Sequence, residues 1–277
     1  MKRPKTNRTT TPLSKAEIAL LRELLRDSGL AARLDDVPRS PARPWTGRPA
    51  EFEEAEECDR SPRASPRTAR ALGEARARHP RVWRIRVDLV GIRPPIWRRL
   101  VVPASATLHD LHIALQHAMG WTMTHLYEFE ASGLRFMEPD PEGDDVGPVA
   151  HDSRIVILGE LGLEVGDRFR YRYDFGDGWD HAIHVEGIGE YDLAQPVPMC
   201  LGGERACPPE DVGGVSGYED LVRAMASPRH KRRGEFMEWL GRPFDSESFE
   251  PGWANVSLKG EQALWRRRMG GNRATRR

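Results

Sequence analysis

Tyr173-Asp174-Phe175-Gly176-Asp177-Gly178-Trp179-Asp180-His181 lies between two stretches that read as β-strands, and its reading decides the fold. On its N-terminal side, Phe169, Tyr171 and Tyr173 alternate with Arg168, Arg170 and Arg172, the period-two pattern of a strand with one buried face. Residues 181–188 follow as the partner strand, and Gly176-Asp177-Gly178 supplies a turn, so the segment predicts an antiparallel hairpin.

Further strands and helices extend from this hairpin. Trp83-Arg84-Ile85-Arg86-Val87-Asp88-Leu89 alternates strictly, Pro94-Pro95 forces a turn, and residues 96–102 read as a second strand. Thr107-Leu108-His109-Asp110 opens a helix with Leu108, Leu111, Leu115 and Met119 on its apolar face and Gly120 as its stop. Residues 125–131 and 134–137 form a hairpin over Ser132-Gly133. An acidic Pro/Gly-rich loop covers 138–148, and residues 155–161 fit either a strand or one short helix. Ser216-Gly217-Tyr218-Glu219 is expected to cap a helix, a further helix spans 230–240, and residues 244–249 add a turn. There is no regular βαβ repeat. The expectation is a single α+β domain over residues 81–260, with a mostly antiparallel sheet and packed helices.

Flanking regions differ in composition. Residues 1–36 are an N-terminal extension in which Ser14-Lys15-Ala16-Glu17 caps one amphipathic helix, about 15–27. Residues 37–80, rich in proline and arginine with an acidic knot at Glu51, Glu53, Glu54, Glu56 and Glu57, read as a disordered linker. Residues 261–277 form a basic tail. The net charge of +0 hides this partition: residues 79–260 carry 19 basic and 29 acidic side chains, whereas residues 261–277 carry 6 and 1. An acidic body repels phosphates, so nucleic-acid contact falls to the tails, through Arg266, Arg267, Arg268, Arg273, Arg276 and Arg277. No apolar run approaches a bilayer-spanning length, and Met1-Lys2-Arg3-Pro4-Lys5 leads into polar residues; the expectation is a cytoplasmic protein without a membrane partner. Three cysteines, Cys58, Cys200 and Cys207, are too few for a disulfide framework in a chain of 277 residues.

Chemistry is concentrated in two stretches. Asp174, Asp177 and Asp180 crowd a glycine-rich turn with His181 behind them, and such carboxylates repel one another unless arginines or a divalent metal ion sit among them. Although Asp174-Phe175-Gly176 stands alone as a kinase-like triplet, the other kinase motifs are missing. The second stretch runs from Cys200 to Gly214, where glycine and proline density predicts an irregular backbone that presents Glu210-Asp211 rigidly. Cys200 and Cys207 are spaced more widely than paired zinc thiolates. Candidate catalytic residues are therefore Asp174, Asp177, His181, Glu210 and Asp211, and candidate metal ligands are Asp174, Asp177, His181, Cys200 and Cys207. His109 and His112 stand one helical turn apart, and His125 would approach His181 if their strands are neighbours.

The ordered succession Ile96-Trp97-Arg98-Arg99, Met119-Gly120-Trp121, His125-Leu126-Tyr127-Glu128-Phe129, the 173–181 segment and Pro208-Pro209-Glu210-Asp211-Val212-Gly213-Gly214 resembles the plasmid pRiA4b ORF-3-like family. That family is also known as the passenger TnpR protein of an insertion element. The resemblance covers about residues 81–256 and implies an α+β fold and carriage on plasmids and mobile elements, with no reaction or cofactor to carry over. It also implies a cysteine in many members where this chain has Val212, which removes one thiol from any cluster with Cys200 and Cys207.

Two functional readings follow. The first is a non-catalytic binding or accessory module of mobile DNA, with a protein or nucleic-acid partner. The second is a metal-dependent, hydrolase-like enzyme with the 174–181 and 210–211 carboxylates in one pocket. A third, purely architectural reading makes Trp97, Trp121 and Trp179 core anchors. The distance between the 174–181 turn and the 208–214 loop bears most directly on the choice.

Overall fold

A computed structural model describes residues 81–139, 150–190 and 196–271, with side chains described up to residue 267. The sequence readings of an extension helix at 15–27 and a linker at 37–80 lie outside these residues, as do Arg273, Arg276, Arg277 and the side chain of Arg268.

Eight strands form one sheet: β1 (Arg81–Leu89), β2 (Trp97–Pro103), β3 (Tyr127–Ala131), β4 (Leu134–Met137), β5 (His151–Asp152), β6 (Arg168–Tyr173), β7 (Trp179–Glu190) and β8 (Met199–Glu204). Their order across the sheet is β5-β4-β3-β6-β7-β1-β2-β8. All pairings are antiparallel except β4 with β5. Five helices complete the domain: α1 (Leu108–Met119), α2 (Gly214–Ala226), α3 (Arg233–Leu240), α4 (Pro251–Ser257) and α5 (Lys259–Gly271). This is the expected α+β architecture.

Alternation along the strands separates the two faces of the sheet. Trp83, Ile85, Val87, Phe169, Tyr171, Tyr173, Trp179, Ile183 and Val185 point into the core, and α1 covers them with Leu108, Leu111, Leu115 and Met119. Thr107 and Asp110 form a reciprocal capping box at the start of α1, and Gly120 ends it at φ 87°. On the opposite face, arginines meet acids within a strand, on the next strand, or across β1 from β2 to β7. Arg172 and Arg170 both bind Asp180, Arg99 binds Glu186, and Arg86 binds Asp88 while lying over the Trp97 ring. Trp97 thus belongs to the outer face, whereas Trp121 and Trp179 are core residues.

Two local readings are corrected, and a third, left open between strand and short helix, is resolved to the helical form. The glycine-rich stretch from Cys200 begins as the edge strand β8, paired with β2. Gly203 makes this pairing feasible: a Cβ there would stand 2.5 Å from the Trp97 carbonyl and 2.7 Å from the Phe249 ring. Helix α2 starts at Gly214 behind Gly213 at φ 90°, and Ser216 lies inside it, donating to the Gly213 carbonyl at 3.2 Å. Residues 155–161 hold a single 3-10 turn, Leu158–Glu160.

One buried cation closes the C-terminal half. Arg98 on β2 is 2% exposed. Its guanidinium donates to the carbonyls of Trp97, Ala118, Glu204 and Arg205 and to Cys207 Sγ, and it lies 3.7 Å over the Phe249 ring. A buried charge is tolerable only when its donors are satisfied, and here carbonyl dipoles from three segments do so. Trp265 of α5 is buried as well.

Candidate functional site

The β6–β7 turn is organised by Asp174. Its φ of 56° is left-handed, a region aspartate tolerates better than most residues. Its amide donates to the Leu126 carbonyl, and its Oδ1 accepts from the Gly176 and Asp177 amides at 2.9 and 3.3 Å. The three aspartates of the turn have parted company. Asp180 crosses to the outer face and is neutralised by Arg170 and Arg172, Asp177 is half-buried within the turn, and Asp174 faces inward toward a neighbouring loop.

That loop, residues 121–126, enters from the C-terminus of α1. Trp121 stacks on Tyr173 and Trp179 and donates from Nε1 to the Pro208 carbonyl at 3.2 Å. Met123, at φ 59°, donates its amide to Gln116 Oε1. The 208–214 loop closes the arrangement through Glu210, which is buried. Its Oε2 accepts from the Thr122 amide at 3.1 Å and from the Thr122 hydroxyl, while its Oε1 accepts from the Tyr173 hydroxyl at 2.7 Å. Burial first, and the neighbouring Glu210 carboxylate second, push the Tyr173 phenol above its ordinary pKa.

The 174–178 turn and the 208–214 loop therefore converge, joined by a histidine. His125 Nε2 lies 3.4 Å from Asp211 Oδ1 and 3.8 Å from Asp174 Oδ2. One potential ligand atom from each of these residues lies within 4.8 Å of the others, and this is the one such group of three or more found among the described residues. Asp211 also adopts a left-handed backbone, at φ 60°. Around the group, the same segments leave Met123, Leu126 and Phe175 exposed.

The remaining candidates lie elsewhere. His181 is buried in the core with its ring against Trp121 and Tyr171, and its Nδ1 donates to the carbonyls of Trp179 and Tyr171. Burial lowers its pKa to about 4, so it is neutral at physiological pH. Cys207 Sγ contacts Arg98 and Met119 Sδ, Cys200 sits on β8, and burial raises both thiol pKa values. Val212, where the family resemblance implies a thiol, is buried in the core. His109 and His112 serve the tyrosine row beneath α1: His109 Nδ1 meets the Tyr127 hydroxyl at 2.9 Å and His112 Nδ1 meets that of Tyr171 at 2.8 Å. Thr122 and Tyr173, which hold Glu210, were not among the candidates read from sequence. From sequence, His125 is a strand start that would meet His181 rather than the two aspartates, and its neighbours in sequence give no ligand-spacing signal.

A sheet of this order with one covering helix and three loops gathered at the β6–β7 turn defines an α+β domain built around an ordered loop cluster. The profile of the plasmid pRiA4b ORF-3-like proteins matches residues 81–252, and the chain belongs to that family. It is 41% identical over 189 residues to the uncharacterised protein y4hQ of Sinorhizobium fredii, covering 68% of this chain and 95% of that protein. The crystal structure of MM3350 from Methanosarcina mazei Go1, a protein of unknown function, is similar with a TM-score of 0.56 and 32% identity, covering 62% of this chain and 96% of that one. No helix among the described residues is long and apolar enough to cross a membrane.

Proposed function

We propose that this protein is a non-catalytic binding module of plasmid or mobile-element origin, which engages a protein segment bearing an apolar anchor at the junction of the 121–126, 174–178 and 208–214 loops. The carrying observation is that bonds from Trp121, Thr122 and Tyr173 to the 208–214 loop pre-order three separate segments, on which Met123, Leu126 and Phe175 are each exposed. Ordering such a surface before the partner arrives lowers the entropic cost of binding. A metal-dependent hydrolase is not favoured, because Glu210 and His181, two of the residues it calls on, are engaged in bonds that hold the fold.

The test is a random-peptide display library panned against the full chain. Enriched peptides should carry an apolar residue and lose binding to Leu126→Ser and Phe175→Ser variants. Peptides that bind these variants as well as the parent would refute the assignment. The basic C-terminal tail adds weak, salt-sensitive nucleic-acid contact in this reading. Replacing Arg266, Arg267, Arg268, Arg273, Arg276 and Arg277 with glutamine should abolish any gel shift on duplex DNA at low salt; an unchanged shift would remove the tail from the proposal.

A further inference from the structure

Resting on the reading of the loop junction as a binding site, we infer that His125, Asp174 and Asp211 bind one first-row divalent metal ion of the zinc class. Geometry carries the inference. Ligands about 2.1 Å from a tetrahedral metal stand roughly 3.4 Å from one another, and His125 Nε2 lies 3.4 Å from Asp211 Oδ1 and 3.8 Å from Asp174 Oδ2. Two carboxylates and a neutral imidazole bring two negative charges, which a divalent ion balances.

Asp174 supplies the independent evidence that the group is more than a surface patch of acids. Its side chain is 9% exposed, and its Oδ1 is consumed by the two turn amides. Oδ2 faces His125 at 3.8 Å, beyond hydrogen-bond range. With Oδ1 taken by the turn amides, Oδ2 is the Asp174 oxygen left to ligate an ion beside His125. His125 is fixed for the task from the other side, its ring packed edge-on against Tyr173. The 208–214 loop, fastened by Glu210, brings Asp211 to the third position.

The donor set selects the ion. An imidazole with two carboxylates suits zinc, cobalt, manganese or iron(II), whereas calcium takes six to eight oxygens and magnesium an octahedral shell that retains water. Three protein ligands leave a position open, which a donor group of the docked partner can fill. The ion serves recognition, and no reaction step is assigned to it.

Cobalt chloride titrated into chelator-dialysed full-length protein tests the inference directly. Visible d–d absorption should saturate at one equivalent and be displaced by zinc but not by millimolar magnesium. Asp211→Asn, at a side chain 68% exposed and so neutral to folding, should weaken cobalt binding at least tenfold, and His125→Ala should do the same. A Cys200→Ser variant should keep full affinity. Absence of saturable binding, or binding unchanged in both Asp211→Asn and His125→Ala, overturns the site; so does loss of binding in Cys200→Ser, which would move the ion to the thiols. Peptide panning repeated in chelator separates the two proposals: Phe175-dependent capture without any metal binding would leave the docking surface standing and remove the ion.

Discussion

The Tyr173 hydroxyl donates to Glu210 Oε1 at 2.7 Å, fastening the end of β6 to the loop that carries Asp211. Glu210 is buried, so its carboxylate depends on Tyr173 and Thr122 for the hydrogen bonds it would otherwise make with water. Tyr173→Phe deletes one donor while keeping the ring that stacks on Trp121. The expected loss is about 1–3 kcal/mol, the cost of an unsatisfied buried group. Urea unfolding should show it, and in the double variant Tyr173→Phe/Glu210→Ala the combined cost should be less than the sum of the separate costs. Strict additivity would mean that the bond does not form in solution.

Gly203 and Gly202 are neighbours on the same edge strand with opposite tolerances. A Cβ on Gly203 would meet the Trp97 carbonyl at 2.5 Å, the Phe249 ring at 2.7 Å and Arg98 Cδ at 2.9 Å, whereas one on Gly202 meets nothing within 4 Å. Gly203→Ala should therefore destabilise the domain by roughly 1–3 kcal/mol through overpacking, and Gly202→Ala should leave the urea midpoint nearly unchanged. Equal effects of the two substitutions would contradict this packing.

Arg98 holds β2, β8, the end of α1 and Cys207 in one hydrogen-bonded knot. Arg98→Leu preserves apolar contact with Phe249 but orphans several buried carbonyls. The expected cost is about 3 kcal/mol or more, because each abandoned acceptor loses its partner and regains no water. Arg98→Lys should rescue little, since a single ammonium cannot span acceptors that the planar guanidinium reaches together. Thermal denaturation of both variants would check this, and a mild Arg98→Lys phenotype would show that charge matters more than the fork geometry.

Much of this fold is legible in the sequence because period-two and helical patterns act locally. The 168–190 hairpin, the β3–β4 hairpin and α1 with its Thr107 cap and Gly120 stop all follow from neighbouring residues. β8 escaped because its glycines resemble a loop, and only the approach of Phe249 and Arg98 from distant segments shows why Gly203 is needed. The α2 start was displaced because a left-handed Gly213 did the work that Ser216 promised. At the loop junction, Asp174 and Asp211 stood out as acids in glycine-rich turns. His125 did not, because its partners come from segments far away in the chain.

The pH dependence of stability should be set first by buried histidine. Burial lowers the His181 pKa to about 4, while in the unfolded chain it titrates near 6.5. Below pH 6.5 the unfolded state takes up a proton that the folded state resists. The stabilisation is therefore complete above about pH 6.5 and lost progressively as pH falls toward 4, by up to roughly 3 kcal/mol from this residue. His112, also lowered by burial, steepens the same slope. Carboxylates join only further down: Glu186, held low by its bond to Arg99, loses that contribution as it protonates below its ordinary range. His181→Asn retains a donor for the Trp179 and Tyr171 carbonyls but has nothing to titrate. Its urea midpoint should fall less than the parent's between pH 7 and pH 5, even if it begins lower. A parent midpoint that stays level across that interval would mean His181 is protonated as easily in the fold as in water, and the core position assigned to it would be wrong.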